Sequence, residues 1–259
     1  MGFFDKIFGE IRTPGADDVR VLNVPTGYNV RELGGFDALG GPTLSHRFLR
    51  SGSTRSMNRR DIERLTNYGV KHVVDLRGWG ESPQLTCVFA RVKGVRWENI
   101  ELYGRDISDR ALLDAANDQG NYLATSYLTM LSNHESIRRL FDFFAEVPHG
   151  ECTLFHCAAG MDRTGMTSML LLGLVGVRRN QIVKDYLYSF GTVPEVDKAV
   201  NTGVFATEVS YDRLAMRNET INQVYDVVNG TYGSIEGYLH ECGITDDELA
   251  AVRAQLLEP

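Results

Sequence analysis

The sequence predicts an α/β fold, with a central, mainly parallel sheet flanked by helices. Three observations carry the prediction. Residues 153–177 run from a short apolar strand through a glycine-centred loop into a helix that is apolar on nearly every side. Residues 57–65 read as a helix that Gly69 closes, and the apolar run Val70 to Arg77 follows at once, so that helix and strand alternate. Hydrophobic residues make up 43% of the 259, enough to bury a sizeable core.

The elements follow in chain order. Val19 to Val24 alternates apolar and polar residues in part and reads as a strand. Gly34-Gly35 marks a turn. The helix that begins near Met57 takes Asn58 or Ser56 as its N-cap. Gly78 to Pro83 reads as a loop, and Val95 to Leu102 as a strand. Tyr103 to Gln119 is polar and acidic, with helical spacing at Leu112, Leu113 and Ala116. Asn121 to Ser132 and Glu135 to Val147 are amphipathic helices, whose stripe of Tyr127, Leu128, Leu131, Leu140, Phe141 and Phe144 reads as core. Asn180 to Leu187 is helical, Val193 to Thr207 is loop-rich, and Thr220 to Asn229 is a helix broken at Gly230 to Gly233. Ser234 to Glu241 is a helix halted by Gly243. Thr245 with Glu248 forms a capping box that opens a last helix to Leu257.

The chemistry sits in the loop between strand and helix, His156-Cys157-Ala158-Ala159-Gly160-Met161-Asp162-Arg163-Thr164. Successive backbone N–H groups and a helix N-terminus make an anion cup. Cys157 lies at its floor, where the helix dipole and Arg163 favour a thiolate nucleophile. The planar fork of Arg163 suits two oxygens of a phosphoryl group, and Gly160 lets the backbone turn. Thr164 is placed to donate a hydrogen bond to the sulfur. A phosphate monoester is the natural substrate and a phosphocysteine the natural intermediate. Cys-x5-Arg alone is a weak signal; the full string between an apolar run and a buried helix is strong. The competing reading is a structural cysteine on a tight turn.

The string resembles the signature of cysteine-dependent protein tyrosine phosphatases, in the bacterial tyrosine and dual-specificity branch of mycobacterial and listerial type, His-Cys-x-x-Gly-Lys-Asp-Arg-Thr-Gly. Tyr28 to Phe36 resembles the family's Asn-x-Arg-Asp-Leu-Gly-Gly segment. Phe48 to Ser53 resembles its strand ending in Arg-Ser-Gly, and 180–187 and the C-terminal helix resemble later elements. The likeness spans most of 20–257 and implies one phosphatase domain over 19–259, after an N-terminal segment 1–18. It implies Cys157 as nucleophile, Arg163 as phosphate ligand, and His156, Ala158, Ala159, Gly160, Met161 and Thr164 around the phosphate. It also sets 103–119 where related enzymes carry a lid; a solvated surface helix is the alternative. Met161 replaces the lysine that the family associates with acidic substrates such as phosphoinositides, and a thioether does not pair with extra phosphates.

Turnover also needs a general acid. Asp75 and Asp162 are the candidates. Arg163 beside Asp162 favours the carboxylate form there. Asp75 lies near the carboxyl end of its strand, as His156 does of its own, and ligands bind beyond such ends. Asp75 is therefore the expected acid, against a salt bridge with Arg77 or Arg50. Arg31 reads as an ion-pair residue. Arg50 either lines the pocket or pairs with a carboxylate.

A net charge of −7 argues against nucleic acid as a partner and against a broad basic face for membranes. No apolar stretch is long enough to insert stably in a membrane. The N-terminus lacks a signal-peptide pattern, so a cytoplasmic location is expected, with secretion by another route open. Phe3, Phe4, Ile7, Phe8 and Ile11 share a helical face, read as packing on the body rather than as an anchor. Cys87, Cys152, Cys157 and Cys242 show no metal-type spacing. Cys152 reads as a buried strand residue, the alternative being a disulfide partner for an oxidised Cys157. No cofactor or metal is expected, because the cup supplies the positive field. The expected partner is a phosphorylated protein or a small phosphate monoester. The alternatives are a phosphoinositide phosphatase and a non-catalytic phosphate-binding module.

Overall fold

A computed structural model describes residues 21–81, 83–103, 109–117, 120–191 and 211–259. The expected N-terminal helical face, the loop-rich 193–207 and part of 103–119 lie outside these residues. The strands are β1 (Arg31–Glu32), β2 (Asp37–Ala38), β3 (Gly41–Pro42), β4 (Phe48–Ser51), β5 (Val70–Asp75), β6 (Arg96–Asn99) and β7 (Cys152–His156). The helices are α1 (Arg59–Tyr68), α2 (Pro83–Thr86), α3 (Arg110–Asn117), α4 (Tyr122–Leu131), α5 (His134–Ala145), α6 (Asp162–Leu174), α7 (Arg179–Gly191), α8 (Tyr211–Tyr232), α9 (Ile235–Glu241) and α10 (Asp246–Leu257).

The main sheet has the order β1-β4-β7-β5-β6. Only β1 runs antiparallel to its neighbour, and β2 with β3 forms a separate small hairpin. The α/β architecture is the one expected. Alternation along each strand splits the core in two. Phe48, Val74 and Phe155 face a large cluster built with α4 to α10, while Leu49, Val73 and Leu154 face a smaller one with Leu65 and Phe89. A parallel sheet needs both faces covered, and here they are.

Register fixes the site. Ser51 pairs with His156, His156 with Asp75, and Asp75 with Asn99, so four strand ends form one row. Asn58 caps α1 through its side chain, and Gly69 ends it in the left-handed region at φ 118°. The capping box at Thr245 and Glu248 opens α10 as expected. Other boundaries move. Val21 makes only an isolated bridge to Arg31, in place of a full strand. The helix α8 runs through Gly230 and stops before Gly233, because tertiary packing overrides one glycine's weak helix propensity. Among the described residues no helix is long and apolar enough to cross a membrane.

Candidate active site

The central strand β7 ends at His156 and releases the chain into the loop 157–161 at the carboxyl end of the sheet. Asp162 and Arg163 lie in the first turn of α6 rather than in the loop. Residues 164–172 of α6 are all buried, which explains why they are mostly apolar, and the hydroxyls of Thr167 and Ser168 bond back to carbonyls of their own helix. Met161 is the N-cap and offers no side-chain cap, so the first-turn amides keep their capacity for an anion.

The loop is held from behind by its carbonyls. Ala158 O accepts from Ser53 N at 2.7 Å. Gly160 O accepts from Asn29 Nδ2 and from Arg50 Nη2, each at 2.8 Å. A carbonyl pulled outward turns the N–H of the same peptide plane the other way, into the loop. Gly160 N shares its peptide plane with Ala159 O, which accepts from Asn29 Nδ2 at 3.4 Å, and it donates inward to Cys157 Sγ at 3.3 Å. Gly160 has φ +71°, and a Cβ there would meet the backbone of Ser51 and Gly52 at 2.5 Å. Met161 is 8% exposed.

The two arginines behind the loop share one carboxylate. Arg31 Nε donates to Asp185 Oδ1 at 2.9 Å, and Arg50 Nη1 pairs with Oδ2 of the same group. All three side chains are buried. Burial and the nearby Arg31 pull Arg50 down to about 10, against the opposing charges of Asp185 and Cys157. Arg50 thus pairs with a carboxylate and also grips the loop.

Arg163 points its fork at Glu81, with Nη2 at 3.0 Å from Oε1 and Nη1 bonded to Oε2. Burial opposes the charge on Arg163, but the pairing outweighs it and raises its pKa. The Tyr103 ring lies 6.0 Å from the guanidinium.

The two candidate acids have opposite surroundings. Asp75 is fully buried, and its oxygens take Arg77 Nε at 2.9 Å and Nη2 at 2.6 Å, with His156 Nε2 at 3.7 Å. Burial works against its charge, yet His156 and Arg77 outweigh it and hold the carboxyl below its ordinary range. The structure therefore gives Asp75 the salt bridge with Arg77. The Asp162 side chain is 37% exposed, and its Oδ1 accepts from Arg217 Nη1 at 2.6 Å and from the Tyr127 hydroxyl.

One other expectation changes. The Thr164 hydroxyl is buried without a hydrogen-bond partner, so it does not donate to the sulfur; the Gly160 amide does. Asp75, Cys87 and His156 bring an oxygen, a sulfur and a nitrogen within 4.8 Å of one another, a set that suits a metal ion in element type. Arg77 already occupies that carboxylate, and His156 Nε2 lies 3.5 Å from Cys87 Sγ, which together form a buried ion-pair chain. Cys152 is a buried strand residue, and the four cysteines are free. Sequence reasoning passed over Glu81, Asp185 and Arg217. Each reaches the site from a distant element whose local pattern carries no signal. Tyr127 does fall on a predicted core stripe, which hides its hydroxyl.

Comparison with known proteins finds one family. A family model described as the tyrosine phosphatase family matches residues 22–258. A tyrosine-protein phosphatase of Nostoc commune is 28% identical over 221 residues, 81% of this chain and 74% of that one. A putative tyrosine-protein phosphatase of Cupriavidus necator is 26% identical over 222 residues, 82% and 80% of the two chains. The triple specificity protein phosphatase PtpB of Mycobacterium tuberculosis is 30% identical over 165 residues, 58% of this chain and 59% of that one.

Proposed function

The chain belongs to the tyrosine phosphatase family, and on that premise we propose that it hydrolyses phosphotyrosine in proteins at the Cys157 loop, through a phosphocysteine. The observation that carries this reading is the position of Cys157 Sγ. It accepts from the Gly160 amide at 3.3 Å inside a loop whose carbonyls are tied outward.

The phosphate seats on the loop amides, and Arg163 takes its outer oxygens when Glu81 gives way. The Cys157 thiolate attacks phosphorus in line. The bond to the tyrosine oxygen breaks, and its electron pair leaves with the phenolic oxygen. Charge spreads over the equatorial oxygens, where preorganised donors act most strongly. Asp162 gives the leaving oxygen its proton. Its partly exposed carboxyl at the first turn of α6 supports that role, whereas Asp75 is enclosed and committed to Arg77. Water then attacks the phosphocysteine, Asp162 takes back a proton, and the thiolate departs. Tyr103 beside Arg163 supplies an aromatic wall that favours an aryl phosphate over an inositol phosphate.

The test is turnover of p-nitrophenyl phosphate, with EDTA present, by wild type and Cys157→Ser. Activity lost in the variant supports the reading. No turnover by folded wild type between about pH 5 and 8 would leave a phosphate-binding module instead.

A further inference from the structure

Arg217 belongs to α8, which follows the signature helix by more than a full element, yet it ends on Asp162. Its Nη1 donates to Asp162 Oδ1 at 2.6 Å and to the Tyr127 hydroxyl at 2.7 Å. The Tyr127 hydroxyl itself donates to the same Oδ1, and it lies 2.8 Å from the Tyr186 hydroxyl. The Phe190 ring stacks on the guanidinium, 4.5 Å from its centroid. Helices α4 and α8 thus converge on one oxygen of one carboxyl group, and Tyr186 of α7 braces the two donors from behind. Both tyrosine rings are buried.

Two charged or polar donors on a single oxygen break the symmetry of a carboxyl group. A proton on Oδ1 would face an N–H and an O–H, while a proton on Oδ2 meets no such conflict. The geometry points to Arg217 and Tyr127 as positioning residues that hold Asp162 by Oδ1, so that Oδ2 carries the transferred proton to the leaving oxygen. The inference rests on Asp162 as the acid of the proposed reaction. The cation and the hydroxyl also stabilise the carboxylate that remains once the proton has left. Both donors are long side chains locked by rings and partner hydroxyls, which removes the rotational freedom that a first-turn aspartate otherwise keeps.

A role in proton donation has a signature that mere support of α8 lacks. An acid matters most when the leaving group is poor and least when it is good. The experiment measures kcat/KM, which covers expulsion of the leaving group, on phenyl phosphate and on p-nitrophenyl phosphate. The proteins are wild type, Asp162→Asn, Arg217→Met, Tyr127→Phe and the double variant D162N/R217M. Asp162→Asn is expected to lose about 100-fold on phenyl phosphate and much less on p-nitrophenyl phosphate. Arg217→Met is expected to lose about tenfold on phenyl phosphate, with the same asymmetry, and to add nothing in the D162N background. Tyr127→Phe keeps the ring's packing and follows Arg217→Met. Equal losses on both substrates for Arg217→Met and Tyr127→Phe, or a further loss in the double variant, overturn the inference while the acid reading stands. Equal losses for Asp162→Asn overturn the acid reading and the inference with it.

Discussion

Glu81 lies across the fork of Arg163, with its two carboxylate oxygens against the two terminal nitrogens of the guanidinium. That is the bidentate geometry a phosphate needs from the same arginine. Gly78 N steadies the carboxylate at 3.0 Å, and the short turn Trp79–Glu81 carries it. Burial works against the charge on Glu81, but Arg163 outweighs it and holds the carboxyl below its ordinary range. Arg163, the proposed phosphate ligand, is therefore paired with an internal anion.

This pairing sets a competition. Glu81→Gln removes the anion and keeps the shape, so inorganic phosphate is expected to inhibit p-nitrophenyl phosphate turnover about three- to tenfold more tightly in the variant. Weaker inhibition in the variant would mean instead that Glu81 aims the arginine at phosphate.

Gly160 tests the loop itself. Its φ of +71° already disfavours a side chain, and the Cβ of alanine would fall 2.5 Å from the backbone of both Ser51 and Gly52. Backbone cannot step aside as the tip of a flexible side chain does. Gly160→Ala is expected to abolish turnover and to cost about 2–4 kcal/mol in urea unfolding. A variant with near-normal activity would show that the inward amides are not what holds phosphate.

Much of this architecture is readable before any coordinates. The run 153–177 announces strand, loop and helix because the strand and most of the helix are buried and the glycine falls at the turn. Asn58, Gly69 and Thr245 mark helix ends through local hydrogen bonding, which sequence spacing reports well. Cys157 and Arg163 are legible for the same reason, since both sit in one continuous string. The rest depends on long-range contacts. In sequence Arg163 beside Asp162 makes Asp75 the expected acid, and only the register of β5 against β7 and the fork of Arg77 show Asp75 withdrawn from solvent. Arg217 and Asp185 belong to helices with no unusual composition. Each meets the site only because three or more elements pack around α6.

Asp185 predicts a large effect without touching the nucleophile. It pairs with both Arg31 and Arg50, and Arg50 in turn donates to Gly160 O at 2.8 Å. Asp185→Asn leaves two buried guanidinium groups sharing a neutral amide, a change that costs about 3–5 kcal/mol when a buried pair is broken. Chemical denaturation checks the stability, and phosphate inhibition checks whether the loop loosens with it. A loss below about 1 kcal/mol would mean that water already screens the pair.

His156 sets a pH dependence of stability. It is fully buried, with Cys87 Sγ at 3.5 Å and Asp75 Oδ2 at 3.7 Å from its Nε2. Burial alone would lower its pKa, but Asp75 and Cys87 outweigh burial and raise it to about 9. A group raised on folding contributes stability that is complete below its unfolded pKa, about 6.5, and is lost as pH climbs through the folded value. The window therefore runs from about pH 6.5 to 9, and the contribution at its acid end is about 3 kcal/mol. The Cys87 thiol is shifted the other way: burial would raise its pKa, but His156 and Thr54 outweigh burial and lower it, so its own contribution fades as pH falls and blunts the alkaline end of the curve. Urea unfolding of wild type and His156→Gln at both ends of the window isolates the imidazole. Wild type is expected to lose about 2–3 kcal/mol more than the variant between the two. An equal loss in both proteins would mean that the His156 imidazole is not charged in the folded protein, and the buried chain Asp75–His156–Cys87 would then be held by neutral hydrogen bonds.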